Sequence, residues 1–295
     1  MKAKIFEIKR FAIHDGDGVR TTVFFKGCSL RCWWCHNPEG LDFENELAFF
    51  ENKCIHCGKC VNACPNNAHV LENGKHGFIR SLCNNCGKCK DVCFQNAIKV
   101  FGYDINLDDL ITEVLKDKQF YDLSGGGVTL SGGECLLQAD FCREFLKELK
   151  NHGINTAVDT AGYVPKEAIL KVLPYVDVFL FDIKSYNLQK HVDATGKANT
   201  LVLENLELID LNNKKIEVRI PYIPNFSQEE IEKISIILSR LKNLVGVRIL
   251  PYHNFAGSKY SALGKVNTLT DERVSQQEIE IAKKKLIDKG IRVLN

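Results

Sequence analysis

The apolar positions of the chain change their period along its length. Thr21–Phe25 (Thr-Thr-Val-Phe-Phe) is a β-branched and aromatic run and predicts a strand. From residue 107 onward helical and strand periods alternate. Leu107, Leu110, Ile111, Val114 and Leu115 fall on one helical face and predict a helix over Leu107–Gln119. Gly127–Leu130 predicts a short strand, Leu137–Lys150 an amphipathic helix and Asn155–Thr160 a strand. Pro165–Val172 opens a helix with proline near its first turn. Val176–Ile183 is almost continuously apolar, as a strand covered on both faces would be. Residues 199–211 predict a helix, Lys215–Ile223 a strand, and Ser227–Leu241 a helix with Ser227 and Glu230 spaced as a capping box. Gly246–Tyr252 predicts a strand, Gln276–Lys289 a helix and Ile291–Leu294 a last strand at an edge. This alternation predicts an α/β fold, a parallel sheet with helices outside. Six clear strands are too few for a closed eight-stranded barrel and predict a partial (β/α)6 barrel.

One stretch breaks the alternation. Cys54, Cys57, Cys60 and Cys64-Pro65 form C-x2-C-x2-C-x3-C-P, and Cys83, Cys86, Cys89 and Cys93 repeat that spacing 29 residues later. Gly58-Lys59 recurs as Gly87-Lys88, and Asn67-Ala68 as Asn96-Ala97. The duplicated run resembles the bacterial ferredoxin pattern for two 4Fe–4S clusters, in which the fourth cysteine of each run serves the other cluster. That resemblance assigns Cys54, Cys57, Cys60 and Cys93 to one cluster and Cys83, Cys86, Cys89 and Cys64 to the other. Phe94 stands where the pattern has proline. Paired four-cysteine zinc sites are the competing assignment, but they usually split their ligands into two distant pairs. The expected division is residues 1–45 and 104–295 for the barrel and 46–103 for a ferredoxin-like insert.

Composition narrows the class. The 295 residues are 45% hydrophobic and 26% charged, ordinary for a globular chain, and the formal charge of +2 offers no general field for nucleic acid. No apolar run reaches membrane-spanning length, and the start, Met1–Glu7, lacks the apolar core of a secretory signal. Thirteen cysteines without an export signal argue for metal rather than disulfides, and so for a reducing cytoplasm.

The loop after the first strand, Gly27–Asn37, holds Cys28, Cys32 and Cys35 in a C-x3-C-x2-C spacing. Three thiolates suit a cubic iron–sulfur cluster and leave its fourth iron open to a ligand. A zinc knuckle or three buried free cysteines are the bland alternatives. With Trp34 before the third cysteine, the loop resembles the signature of the radical S-adenosylmethionine (SAM) superfamily. Asp15-Gly16-Asp17-Gly18-Val19-Arg20-Thr21 and His36-Asn37-Pro38-Glu39 narrow the resemblance to the activating enzymes of glycyl radical enzymes, although the family usually has proline where Asp17 stands.

The predicted strands all end in chemically suggestive groups, where barrels gather their functional residues. They lead to the Cys28 loop, Gly132-Gly133-Glu134, Asp159-Thr160, Asp182 with Lys184, Arg219, and Pro251-Tyr252-His253. The resemblance implies that Gly132, Gly133 and Glu134 grip the amino group of SAM and that Asp159 helps hold a monovalent cation against its carboxylate. It implies contacts of Trp34, Asn37, Thr160, Asp182, Lys184, Arg219 and His253 with SAM, Arg219 through its planar fork, Lys184 as an added point charge and His253 at the ribose or adenine. Asp15 and Gly16 would lie near the entering glycine peptide. Cys135 reads as a small buried hydrophobe or an extra ligand, and Cys142 likewise. His69 and His191 carry no assignment, and Lys283–Lys285 reads as a solvated helix face.

The resemblance spans Asp15 to His253. It implies three 4Fe–4S clusters, one of them site-differentiated, and SAM cleavage that yields a 5′-deoxyadenosyl radical. It also implies a glycyl radical enzyme as partner, and an electron donor such as flavodoxin or ferredoxin. A monomer without nucleic-acid or membrane partners is expected. The rivals are a radical SAM enzyme acting on a small molecule, against which the Asp15–Thr21 motif argues, and a ferredoxin-type electron carrier, in which the Cys28 loop would be idle.

Overall fold

The structure, a computed structural model, describes residues 1–268 and 273–294. Its strands in chain order are β1 (Lys2–Ala12), β2 (Arg20–Phe25), β3 (Glu46–Phe49), β4 (His69–Glu72), β5 (Lys75–Phe78), β6 (Ile98–Phe101), β7 (Tyr103–Asn106), β8 (Gly127–Gly132), β9 (Asn155–Thr160), β10 (Val178–Asp182), β11 (Lys215–Tyr222) and β12 (Leu244–Pro251). Eight of them form one sheet in the order β12-β11-β10-β9-β8-β2-β1-β7. The six strands from β2 to β12 within it are parallel and adjacent in chain order. They are the partial (β/α)6 barrel, extended by β1, antiparallel to β2, and by β7, antiparallel to β1.

Alternation along each strand separates the two faces. Val23, Val128, Val158, Phe181, Val218 and Ile220 all join one core with the outer helices. Their neighbours Thr22, Thr129, Asp159, Asp182, Glu217 and Arg219 take the other face, toward the barrel interior. Buried charges in β11 therefore belong to the interior: Glu217 is 4% and Arg219 5% exposed.

β1 escapes the sequence pattern. Lys2, Lys4, Glu7 and Lys9 interrupt it, yet Ala3 and Ile5 are buried in the core. An antiparallel strand with one solvated face tolerates those charges. The helix at Leu188–Thr195 also escapes the pattern, and the expected Leu107–Gln119 helix is two, Leu107–Leu115 and Lys118–Ser124. Residues 292–294 lie parallel beside β12, bridged by Val247 and Val293.

The capping box at Ser227 and Glu230 is a correction, since the helix there spans Glu230–Leu238. The Ser227 hydroxyl instead accepts from Ile223 N–H and donates to Pro221 O. Glu230 accepts from Ser185 Oγ, Tyr186 N–H and Asn187 N–H, tying down the loop after β10. Three donors from one turn outcompete a single helix-end amide for a buried carboxylate. A capping box does form at Ser275 and Glu278, ahead of the helix Gln276–Ile287.

In the insert, β3 pairs β6 and β4 pairs β5, both antiparallel. The 29-residue repeat extends to these ladders: Phe49 opposite Ile98 corresponds to Phe78 opposite His69. The insert rests on the helix Gly257–Leu263, where Ala48 packs with Ala262 and Leu263, and Arg80 donates to Ala262 O.

Candidate active site

The Cys28 loop is pinned on three sides. At its base Gly27 N–H donates to Gly40 O and Cys28 N–H to Leu41 O. On a second side Arg31 N–H and Trp33 N–H donate to Thr195 O and Ala194 O, at the end of the Leu188–Thr195 helix. That contact gives the His191–Gly196 stretch a physical role, with His191 Nδ1 2.6 Å from Lys197 O. On the third side Tyr260 Oη donates to Cys35 O at 3.0 Å, while Lys259 pairs with buried Glu39. Lys26, 1% exposed, reaches Glu39 O and Glu46 from below.

The three cysteines open into a cleft of about 300 Å3 at the carboxyl ends of the strands. Trp34, Asn37, Gly132, Gly133, Asp159, Thr160, Asp182, Lys184 and Arg219 share its lining, with Asp15. Burial pushes the Cys28 and Cys32 thiols up to about 12 and raises Cys35 as well. Three such thiols become thiolates together only when a cationic centre compensates them. An iron–sulfur cluster supplies that charge, and the donor set fits it.

The charged groups across the cleft are interlocked. Lys184 donates to Asp182 at 2.7 Å. Burial alone would lower its ammonium pKa, but Asp182 and Cys32 outweigh burial and hold it above its ordinary value. Arg219 donates to Glu217 and to His14 O, and its fork faces Asp159 at 3.7 Å and Asp15 at 4.0 Å. Asp159 accepts from Ser131 Oγ at 2.6 Å, and burial lifts its carboxyl to about 6 against the pull of Arg219. Its second oxygen, Oδ1, is buried without a hydrogen bond. A buried carboxylate oxygen without a donor is costly, and it fits a small cation or a polar ligand.

Other expected residues sit elsewhere. Glu134 lies behind the cleft, its carboxylate accepting from Thr160 Oγ1 and from Ala161 and Leu136 N–H. Only the backbone of Gly132-Gly133 faces in. His253 is exposed and stacks on His36 with ring centroids 4.3 Å apart. Gly16 stands back from the lining; a side chain there would meet that of Arg20. Cys135 and Cys142 are fully buried in the core.

Arg20 and Glu217 were not anticipated as site residues. Arg20, 1% exposed, donates to Thr129 Oγ1, Val128 O, Asn155 Oδ1 and Asp17 O. Thr129 donates onward to Asp15 O and Thr22 to Asp15 Oδ2, so Arg20 and its neighbours set the Asp15–Gly18 turn against the cleft. The signal for Glu217 was present: with Arg219 two positions on, it alternates with Ile216, Val218 and Ile220 and so shares one face of the strand with that arginine.

In the insert, Cys54, Cys57, Cys60 and Cys93 line one largely apolar cavity of about 200 Å3. The Cys60 thiol is raised to about 11 by burial and then by Cys54, Cys57 and Cys93. Cys89 is raised to about 12 by burial, with Cys83, Cys64 and Cys60 adding to it. The cavity brings Cys93 of the second run beside Cys54, Cys57 and Cys60 of the first. None of the thirteen cysteines is in a disulfide.

Comparison with known proteins bears on the same features. The family model of the Radical SAM superfamily matches residues 81–235, and that of the 4Fe-4S binding domain matches residues 47–68. The choline trimethylamine-lyase activating enzyme of Oleidesulfovibrio alaskensis is 41% identical, over 89% of this chain and 87% of its own. The trans-4-hydroxy-L-proline dehydratase activating enzyme of Clostridioides difficile is 40% identical, over 96% of each chain. Among solved structures, Streptococcus suis SuiB bound to precursor peptide SuiA superposes with a TM-score of 0.54 over 90% of this chain and 45% of its own, at 11% identity. That likeness concerns the fold alone.

Proposed function

This chain belongs to the glycyl radical enzyme activating enzymes of the radical SAM superfamily, and we propose from that membership and from its cleft how its residues divide the work. It activates a partner glycyl radical enzyme. When bound, the cluster supplies one electron to the sulfonium of SAM, releasing methionine and a 5′-deoxyadenosyl radical that takes a hydrogen from one glycine Cα.

Cys28, Cys32 and Cys35 would hold the cluster that supplies this electron. The observation that carries this is the shared cleft: three pinned cysteines face Asp159, Lys184 and Arg219 across a space lined by the Gly132-Gly133 backbone. The glycine backbone receives the amino end of SAM. Arg219 and Lys184 offset its carboxylate, with Asp182 orienting Lys184. Asp159, through the Oδ1 that lacks a hydrogen bond and faces Arg219 at 3.7 Å, holds a monovalent cation beside that carboxylate. Trp34, Asn37 and Thr160 complete the wall, and Asp15 with Gly16 borders the entry of the glycine peptide.

The insert carries two further 4Fe–4S clusters, three in all, which relay electrons from a flavodoxin- or ferredoxin-type donor. The thirteen unpaired thiols suit a reducing cytoplasm, and the protein acts there as a monomer. Among the described residues no helix is long and apolar enough to cross a membrane. The partner is a lyase- or dehydratase-type glycyl radical enzyme, as for the two relatives at about equal identity.

The test mixes the reduced protein, SAM and a candidate partner without oxygen. A glycyl electron paramagnetic resonance (EPR) doublet on the partner, absent when its glycine is changed to Ala, is the expected result. Consumption of a small molecule with SAM, and no glycyl radical on any candidate, would replace this reading.

A further inference from the structure

The two halves of the insert differ at one buried place. In β3 and β6 the repeat carries Leu47 and Ile98, 1% and 2% exposed. Twenty-nine residues away, β5 and β4 carry His76 and His69, 6% and 2% exposed. The aliphatic pair of one half is thus an imidazole pair in the other. Burying polar rings where Leu and Ile suffice is unfavourable unless their nitrogens are used.

One nitrogen of each ring is used inside the pair: His69 Nδ1 and His76 Nε2 are 3.0 Å apart. The outer nitrogens, His69 Nε2 and His76 Nδ1, are buried without a partner. In an N–H···N bond the accepting nitrogen carries no proton, so the accepting ring bears its proton on its outer nitrogen. Whichever ring accepts, the pair presents an N–H with no acceptor in the protein. A ring nitrogen of each histidine lies within 4.8 Å of Cys60 Sγ, and His76 lines the cavity of Cys54, Cys57, Cys60 and Cys93. Of the two rings His76 lines that cavity, and sulfur of a cluster held there would be the acceptor beside the pair.

We propose that the His69–His76 pair is a hydrogen-bond donor to the cluster held by Cys54, Cys57, Cys60 and Cys93, and raises its reduction potential above that of the cluster held by Cys64, Cys83, Cys86 and Cys89. Hydrogen bonds to cluster sulfur stabilise the reduced, more negative state. Leu47, the counterpart of His76, offers no N–H, and Ile98 lines the first cavity beside His76, so the two clusters are inequivalent and electrons rest preferentially on the first. The proposal rests on the insert holding two clusters.

The test is anaerobic potentiometry of the reconstituted full chain, followed by EPR, on His69→Ile and His76→Leu. Both substitutions install the residue that the other half already carries. The reduced-to-oxidised ratio of one cluster at fixed poise should fall about tenfold, a shift of about 59 mV for one electron. The other two clusters should titrate as in the wild type. His76→Gln, which keeps an N–H, should lie closer to wild type than His76→Leu. Full iron with unchanged potentials in both aliphatic variants would overturn the proposal. So would loss of one cluster in all three variants, which makes the pair structural. Stoichiometric zinc in place of a cluster in the wild type would also overturn it, and would make Cys60, His69 and His76 a mononuclear site. A wild-type iron count for one cluster alone would instead refute the two-cluster insert.

Discussion

The Thr160 hydroxyl donates to the Glu134 carboxylate, 2.8 and 2.9 Å from its two oxygens. This bond, with Ala161 N–H on the same carboxylate, turns the acidic end of Gly132-Gly133-Glu134 away from the cleft. Glu134 therefore shapes the turn from behind, and the glycine backbone is what a ligand meets.

Glu134 should leave a signature in the pH dependence of stability. Burial lifts its carboxyl to about 7, against the hydrogen bonds that oppose it. The folded protein then holds this proton more tightly than the unfolded chain, whose carboxyl lies near 4.5. Stability from this group is complete below about 4.5 and is lost as pH rises through about 7, by on the order of 3 kcal/mol. Glu134→Gln should lack that component. Anaerobic thermal unfolding of both proteins across this range checks it; parallel pH profiles would contradict it.

Cys28→Ala, Cys32→Ala and Cys35→Ala should each abolish SAM cleavage. Iron content should fall by about a third, since three cubic clusters are expected. Iron analysis with a cleavage assay decides this. A triple variant that still cleaves SAM would move the open iron elsewhere.

On the proposed grouping, Cys54→Ala and Cys86→Ala remove a ligand from different insert clusters. SAM binding should persist while turnover with a protein electron donor slows. Unchanged turnover with that donor would favour a docking role for the insert.

Asp15→Ala should weaken activation of the partner far more than SAM binding. Asp15 borders the cleft, yet Thr22 already holds its Oδ2 and Arg219 lies 4.0 Å from its Oδ1. Calorimetric SAM affinity and glycyl radical yield separate the two effects; equal losses in both would place Asp15 in the SAM site.

Gly18→Ala should destabilise the fold by roughly 1–3 kcal/mol or more from its backbone conformation alone. Its φ is +70°, and a Cβ there would lie 2.4 Å from Gly126 N. A melting temperature within about 1 °C of wild type would show that the turn gives way freely.

Much of this architecture was legible because the parallel strands are long apolar runs between amphipathic helices. Asn155–Thr160 was bounded to the residue by that pattern. The cysteines were legible from spacing, and the cleft from where strands end. What stayed hidden depends on tertiary partners. Ser227 and Glu230 have the local spacing of a cap, but the loop at Ser185–Asn187 claims the carboxylate. Arg20 stands in the Asp15–Thr21 motif, yet its bonds run to Thr129 and Asn155, more than a hundred residues away. His253 shared a strand end with the cleft but stacks outside it on His36.

The ladder of β3 and β6 sets Glu46 opposite Phe101, so the chain departs for the insert and comes back at one spot. β7 then rejoins β1 at once. A segment whose two ends already meet can lengthen or shorten at little entropic penalty, because closure cost grows only slowly with loop length. Evolution can therefore add or remove such a cassette without redrawing the barrel. A change of length inside the insert can then leave the cleft where the barrel strands hold it.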